Sequence, residues 1–417
     1  MKINTNRVVI TGTGVISPLG NHIAEFWKAI CAGTCGIRKL KGLEDWDLIV
    51  SVAGQVQDFD PLAYGISPKD ARRNDIYCNY AMAAAAQAVA ESGIDTASNI
   101  APERLGVYIG SGVGGLKTFV DQSKVLLEEG ASRVSPLFIP TMIANIAGGN
   151  IAIKYNAQGP CVTHVAACAS STYTIGEAFQ AIRLGKADAM IAGGTEAVVH
   201  PIAIGGFANS KALTLATDPQ QACLPFDRRR AGFVMGEGAA VMVLEEYEHA
   251  RRRGASIIAE VVGYGSTCDA YHFTAPRPDG SAASRAIAEA LREADYDASR
   301  DKLYINAHGT GTVLNDKCET LAIKLALGEN EAHQVAISST KSMTGHLFGA
   351  AGALEILISA LALRDGIVPP TIGLQEADPE CDLDYTPLAA RRSDINVAVS
   401  NSLGFGGHNA CVSLRKM

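Results

Sequence analysis

The residues best suited to chemistry are one cysteine and two histidines, each set among side chains too small to obstruct a ligand. Cys168 lies in Val165-Ala-Ala-Cys-Ala-Ser170, with a long helix-like stretch directly after it. His308 lies in Asn306-Ala-His-Gly-Thr-Gly-Thr312, and His346 in Lys341-Ser-Met-Thr-Gly-His-Leu-Phe-Gly349. A nucleophilic thiol needs open space on its approach side, and a helix starting behind it lends a dipole that favours thiolate. Both histidines occupy glycine- and threonine-rich turns after apolar stretches, a setting in which a side chain faces a ligand. One Cys and two His, with no third base in evidence, point to acyl transfer coupled to carbanion chemistry. A lone Cys at a helix start is more often a packing residue; the two histidine segments reverse that weighting.

These residues must be carried by a framework of alternating strands and helices. The sequence predicts strands over 7–11, 105–110, 187–193, 239–245, 255–264, 303–306 and 396–400, and helices over 79–91, 168–184, 280–294 and 349–365. Many of the strands are apolar throughout, the pattern of a sheet covered on both faces. A weak internal repeat runs through them. Val8–Gly14 parallels Glu260–Gly265, and Leu105–Gly112 parallels Leu303–Gly311. The thiol segment with its helix parallels Thr344–Gly349 with its helix. Two halves follow, 1–251 with the thiol and 252–417 with both histidines, packed without a linker.

Composition narrows the class. The chain has 417 residues, 47% of them hydrophobic, with 42 glycines and only 6% aromatics, which suits helices packed closely on a buried sheet. A formal net charge of −7 argues against general nucleic-acid binding. The ten cysteines form no CxxC pair and no metal site is expected. The opening decapeptide has no signal-peptide core, and Pro140 and Asn145 interrupt the longest apolar run, 137–153. The expectation is a cytoplasmic protein with reduced thiols and no membrane span. Gly12-Thr-Gly14 invites a dinucleotide-binding reading, but Ser17 stands at the sixth position of that pattern, so a packing turn is expected. The Glu245–Arg253 run reads as a solvated helix face around His249, and His164 as packing.

Taken in order, the thiol segment, Pro225-Phe-Asp227 with Gly232-Phe-Val-Met-Gly-Glu-Gly238, the His308 and His346 segments, and Asn401-Ser-Leu-Gly-Phe-Gly-Gly407 carry a resemblance. Over essentially its whole length the chain resembles the β-ketoacyl-acyl carrier protein synthases of the elongating type II class, members of the thiolase-like superfamily. That resemblance implies an α/β protein with the duplicated αβαβα five-layer fold, a homodimer, and carbon–carbon bond formation in fatty-acid elongation. It implies that Cys168 holds the acyl chain, that His308 and His346 stabilise the malonyl-derived enolate, and that Phe405 supplies a second oxyanion amide and a gating ring. Lys341 and Glu319 belong to the same constellation, with Glu319 expected as the counter-ion of Lys341. Thr310 and Thr312 match positions that bind the phosphopantetheine arm. Val113 and Phe207 match the acyl pocket, and His272 a position beside the pantetheine channel. Lys69, Arg72, Arg73, Arg133 and Lys211 match docking positions for an acidic acyl carrier protein, although Ser132 replaces a second basic residue common before Arg133. No cofactor beyond the substrate's own phosphopantetheine is implied; a structural monovalent cation near Glu355 is allowed.

Three rivals share parts of this pattern. A non-catalytic chain-length partner subunit would lack the nucleophile. A thiolase would use a second cysteine, and Cys381 and Cys411 have no suitable glycine context. A type II polyketide ketosynthase fits the same motifs.

Overall fold

The computed structural model describes residues 5–417; the first four residues of the opening decapeptide lie outside the described residues. Ten strands form one hydrogen-bonded sheet. The first five are β1 (Val8–Ile16), β2 (Leu105–Gly110), β3 (Cys161–Val162), β4 (Ala189–Glu196) and β5 (Gly238–Glu246). The second five are β6 (Ala259–Cys268), β7 (Leu303–Asn306), β8 (Ala336–Ser338), β9 (Val397–Gly404) and β10 (His408–Arg415). The spatial order β3-β2-β4-β5-β1 is followed by β6-β10-β9-β7-β8, so each set of five repeats the same permutation about the central pair. The directions repeat as well. β2 runs parallel to β4 and β3, and β7 to β9 and β8, while β5 and β10 are antiparallel to their neighbours. The sets join through a short antiparallel pairing of Val8–Ile10 with Ala259–Val261.

Six helices complete the layers: α1 (Ile76–Ser92), α2 (Ile146–Tyr155), α3 (Ser170–Arg183), α4 (Ser281–Glu293), α5 (Val313–Leu327) and α6 (Ala351–Asp365). α3 and α6 touch each other and strands of both sets, which makes them the central layer. α1 covers β1, β4 and β5 on one outer face, and α4, with α5 behind it, covers β6, β9 and β10 on the other. Central position explains composition. α6 is buried at every residue from Ala351 to Leu363, so no polar stripe is needed on it. Asp75 caps α1 and Gly93, at φ +65°, ends it.

The segments paired by the sequence repeat fall on equivalent strands and helices of the two sets. Several strands run past their predicted C-terminal ends, because alternating small residues such as Thr11-Gly-Thr-Gly14 read as a turn. They are in fact strand. A Cβ on Gly12 or Gly14 would lie 2.0 or 1.9 Å from the carbonyl oxygen of Ala88 or Ala84, so the glycines let α1 lie directly on β1. Strands β3, β8 and β10 and helices α2 and α5 went unpredicted. The Glu245–Arg253 run is solvated only in part: Glu248, Arg251 and Arg252 are exposed, whereas its start is not. Glu245 is fully buried, with Arg253, His249 and Thr11 all hydrogen-bonded to its carboxylate. Among the described residues no helix is long and apolar enough to cross a membrane.

Candidate active site

Cys168 sits on a single 3₁₀ turn, Ala167–Ala169, two residues before α3. The chain reverses sharply there: Ala167 takes φ +49°. Ser170 fixes the turn, accepting from the Ala166 N–H at 2.8 Å and donating to the Ala167 carbonyl at 2.7 Å. The thiol lies on the floor of a cavity of about 450 Å³ and is half-buried. Burial pushes the thiol up to about 11, against the nearby Lys341 charge and the N–H groups of Phe405 and Cys168, which pull it down. Burial thus opposes the pull of the helix start toward thiolate. Those two amides converge on the sulfur because Gly404, at the end of β9, lies against the turn: a Cβ there would be 2.7 Å from the Ala166 carbonyl oxygen.

Both histidines line the same cavity, and their rings meet at right angles with centroids 5.4 Å apart. His308 follows β7, and His346 follows the short helix Lys341–Thr344. Burial, then the charge of Lys341, holds both imidazoles well below the usual 6.5; each also lies near the other. Both are neutral at pH 7. Lys341 also sets a tautomer. Its ammonium can only donate, and it lies 3.4 Å from His308 Nδ1, so the His308 proton is on Nε2. Neither ring nitrogen of His346 has a partner in the protein.

The expected counter-ion of Lys341 is corrected. Lys341 Nζ bonds Glu355 Oε1 on α6 and the His308 carbonyl at 2.6 Å, all fully buried. Glu319 on α5 instead clamps the histidine loop, accepting from the N–H groups of His308 (2.6 Å) and Gly309 (2.7 Å) and from Asn401 Nδ2 (2.7 Å). A carboxylate eleven residues downstream of a histidine satisfies loop amides here, a pairing that spacing alone does not separate from an ion pair. Glu355 Oε2, Ser400 Oγ and Asn401 Oδ1 are buried oxygens without partners.

Thr310 and Thr312 line the cavity with their hydroxyls 3.0 Å apart. Val113 and Phe207 line it too, and the Phe207 ring stacks on Phe348 at 5.2 Å. Phe405 lines it 6.4 Å from Phe207. His272 does not. It is exposed, and its Nδ1 accepts from the N–H groups of Thr274 and Ala275, folding the loop whose Thr274–Pro276 do line the cavity. Lys211 reaches the cavity wall. Lys69, Arg72 and Arg73 are exposed on the short helix Pro68–Arg73, capped by Ser67. Arg133 is exposed and paired with Glu129 at 3.4 Å. Phe348, Phe233 and Glu196 escaped the sequence reading; an acid ending an otherwise uncharged, largely apolar strand, as Glu196 ends β4, was the available signal.

Two family descriptions match the chain: Beta-ketoacyl synthase, N-terminal domain, over residues 5–250, and Beta-ketoacyl synthase, C-terminal domain, over 258–375. The 3-oxoacyl-[acyl-carrier-protein] synthase 2 of a Synechocystis strain is 46% identical over 415 residues, covering 99% of each chain. The protein of that name from Staphylococcus aureus is 48% identical over 410 residues, covering 98% of each. Among solved structures, the ishigamide ketosynthase/chain length factor aligns with a TM-score of 0.92 at 33% identity. A type II polyketide ketosynthase in complex with its acyl-carrier protein aligns at 0.90 and 35%. Both cover 99% of this chain and 100% of theirs. The chain belongs to the β-ketoacyl synthase family.

Proposed function

We propose that the protein is a 3-oxoacyl-[acyl-carrier-protein] synthase that elongates fatty acyl chains by two carbons through decarboxylative Claisen condensation. The observation that carries this reading is one thiol, two neutral buried imidazoles and two convergent backbone N–H groups around a single cavity. Cys168 Sγ attacks the acyl thioester carbonyl. As the S–C bond forms the thiol gives up its proton to the departing carrier thiolate, with His346, whose two ring nitrogens have no partner, beside it to relay the proton. The Cys168 and Phe405 amides hold the oxyanion. The carrier thiol leaves with the proton, and the acyl group stays on sulfur. In the second half-reaction, malonyl thioester loses carbon dioxide. The enolate oxygen accepts from His308 Nε2–H and from His346, and the carbanion attacks the acyl-Cys168 carbonyl. The Cys168 thiolate leaves and takes from water the one proton that decarboxylative condensation consumes.

Thr310 and Thr312 hold the phosphopantetheine arm, Val113 and Phe207 bound the acyl chain, and His272 acts indirectly by folding the Thr274–Pro276 loop. Glu355 Oε2, Ser400 Oγ and Asn401 Oδ1, each buried and without a partner, are hard oxygen donors of the kind that would hold a structural monovalent cation. The carrier docks on Lys69, Arg72, Arg73, Arg133 and Lys211. The protein is a homodimer: edge strand β3 is exposed, with the apolar Val162 and Val165 open to solvent beside it. It works in the cytoplasm, where its ten unpaired cysteines stay reduced. The 46–48% identity to the 3-oxoacyl-[acyl-carrier-protein] synthases 2, against 35% to the type II polyketide ketosynthase, favours the fatty-acid substrate.

The test is a peptide map after incubation with acyl-carrier protein. The added mass is expected on the Cys168 peptide alone, and Cys168→Ala should remove both label and condensation while the fold persists. Label on Cys161 or Cys318 would overturn the assignment.

A further inference from the structure

The repeated topology gives Cys168 a counterpart. Ala167 and Phe348 both hold φ +49°, and each opens one 3₁₀ turn, Ala167–Ala169 or Phe348–Ala350, that leads directly into a central helix. Gly349 thus stands where Cys168 stands in the other half. On the Cys168 side, its own N–H and that of Phe405, just past the end of β9, face the sulfur. On the Gly349 side, the corresponding N–H donates to Glu196, the last residue of β4, which is the strand equivalent to β9.

Glu196 is fully buried, and all four of its partners are neutral donors. Oε2 accepts from the N–H groups of Gly112 (2.7 Å) and Gly349 (3.0 Å). Oε1 accepts from the Ser111 hydroxyl (3.0 Å) and the Val113 N–H (3.2 Å). The fit leaves no room for side chains at the glycines: a Cβ on Gly349 would lie 2.3 Å from Gly112 N, and one on Gly112 would lie 2.7 Å from Glu196 Oε2. Two parts of the site rest on this clamp. One is Val113, on the cavity wall. The other is Phe348, whose left-handed backbone is rare for a bulky residue and persists only where its neighbours hold it. The Phe348 ring stacks on His346 at 5.0 Å and 22°. His346 makes no ring hydrogen bond, so its orientation depends on Phe348, on Phe233 at 5.4 Å and on His308.

We propose that Glu196 is an internal anion filling the counterpart of the oxyanion hole, and a positioning residue for both the Val113 wall and, through Phe348, His346. The roles of Val113 and His346 rest on the function proposed above. The test uses the full-length Glu196→Ala variant, in which the deleted CH₂–COO⁻ has the shape of acetate. Condensation kcat is expected to fall by ~10²-fold, the scale of a misplaced reacting group, with malonyl decarboxylation falling more than Cys168 acylation. Acetate should restore kcat saturably and raise the variant's melting temperature. Acetamide, alike in shape but neutral, should do neither, and wild type should respond to neither. Equal stabilisation by acetamide, or wild-type kcat in the variant, would overturn the proposal. The melting readout needs no substrate, so a wild-type protein that fails to condense defeats the functional reading and leaves the anion site standing. If Glu196→Ala does not fold, Glu196→Gln decides. It keeps the volume but must turn an NH₂ toward N–H donors, so kcat should drop with KM unchanged; wild-type kcat there would show that no anion is required.

Discussion

Replacing Lys341 with Met separates the electrostatic role of this lysine from its bulk. Lys341 and Glu355 are both buried, and the pair is closed by hydrogen bonds to His308. Removing one partner of a buried pair costs about 3–5 kcal/mol, because the remaining charge is left unpaired. Glu355 can limit that cost by taking a proton. Burial already lifts it from 4.5 to about 7 in spite of Lys341, and loss of the lysine lifts it further. The folded variant then binds a proton that the unfolded chain, titrating near 4.5, has released, so its stability falls as pH rises. Above pH 7, where the wild-type carboxylate is largely ionised, the variant should lose about 1.4 kcal/mol relative to wild type per pH unit, until its own raised pKa is passed. Urea unfolding at about pH 6 and pH 8.5 measures this. The double variant Lys341→Met with Glu355→Gln should recover most of the loss. Activity supplies a second readout. The imidazoles, no longer beside a cation, should titrate closer to 6.5, moving the acid limb of the condensation profile upward. Equal destabilisation at both pH values, or no recovery in the double variant, would refute the reasoning.

His308→Ala removes one of two enolate donors and should cut carbon dioxide release by ~10²–10³-fold while Cys168 acylation persists; unchanged release from malonyl-carrier would exclude the role. Val113→Phe adds a ring to the cavity wall and should block long acyl primers while sparing short ones, read as acyl-Cys168 by intact mass; equal loss for both would place the acyl chain elsewhere. Reversing Arg72 and Arg73 to Glu should raise KM for both carrier substrates, with salt sensitivity set by a Debye length of about 8 Å, and leave a free pantetheine thioester unaffected. Equal loss on carrier-bound and carrier-free substrates would make those arginines structural.

The fold was legible because its signals are local and repeated. Largely apolar strands such as 105–110 and 303–306, and the alanine-rich α1, mark buried elements wherever they occur. Helix α5 escaped because its periodicity is weak, with buried Asp316 and Glu319 on its inner side. Strand β10 escaped because its polar Asn409 and Ser413 are buried by hydrogen bonds to Asp269 and Ala290. In the site, residue type and glycine context were enough to single out Cys168, His308 and His346, which the structure sets around one cavity. What spacing could not supply was partnership. Lys341 lies closer in sequence to Glu355 than to Glu319, yet neither separation fixes a contact between two elements. The thiol's raised pKa was hidden as well, since burial depends on the whole fold, whereas a helix start is visible locally.

The central layer also governs how the chain comes to be folded. The largest apolar cluster draws on β1, α3, α6 and β10 together, with Val8, Phe179, Leu354 and Val412 all fully or nearly fully buried in it. α3 therefore has no complete shelter until α6, residues 351–365, has been synthesised and docked. For most of translation the emerging chain carries an uncovered helix face and an unclosed sheet edge. Closure waits on contacts between residues hundreds of positions apart, which folds slowly and invites association. A ribosome pause or truncation before about residue 365 should yield a species held by chaperones or aggregated, not an independently folded N-terminal domain.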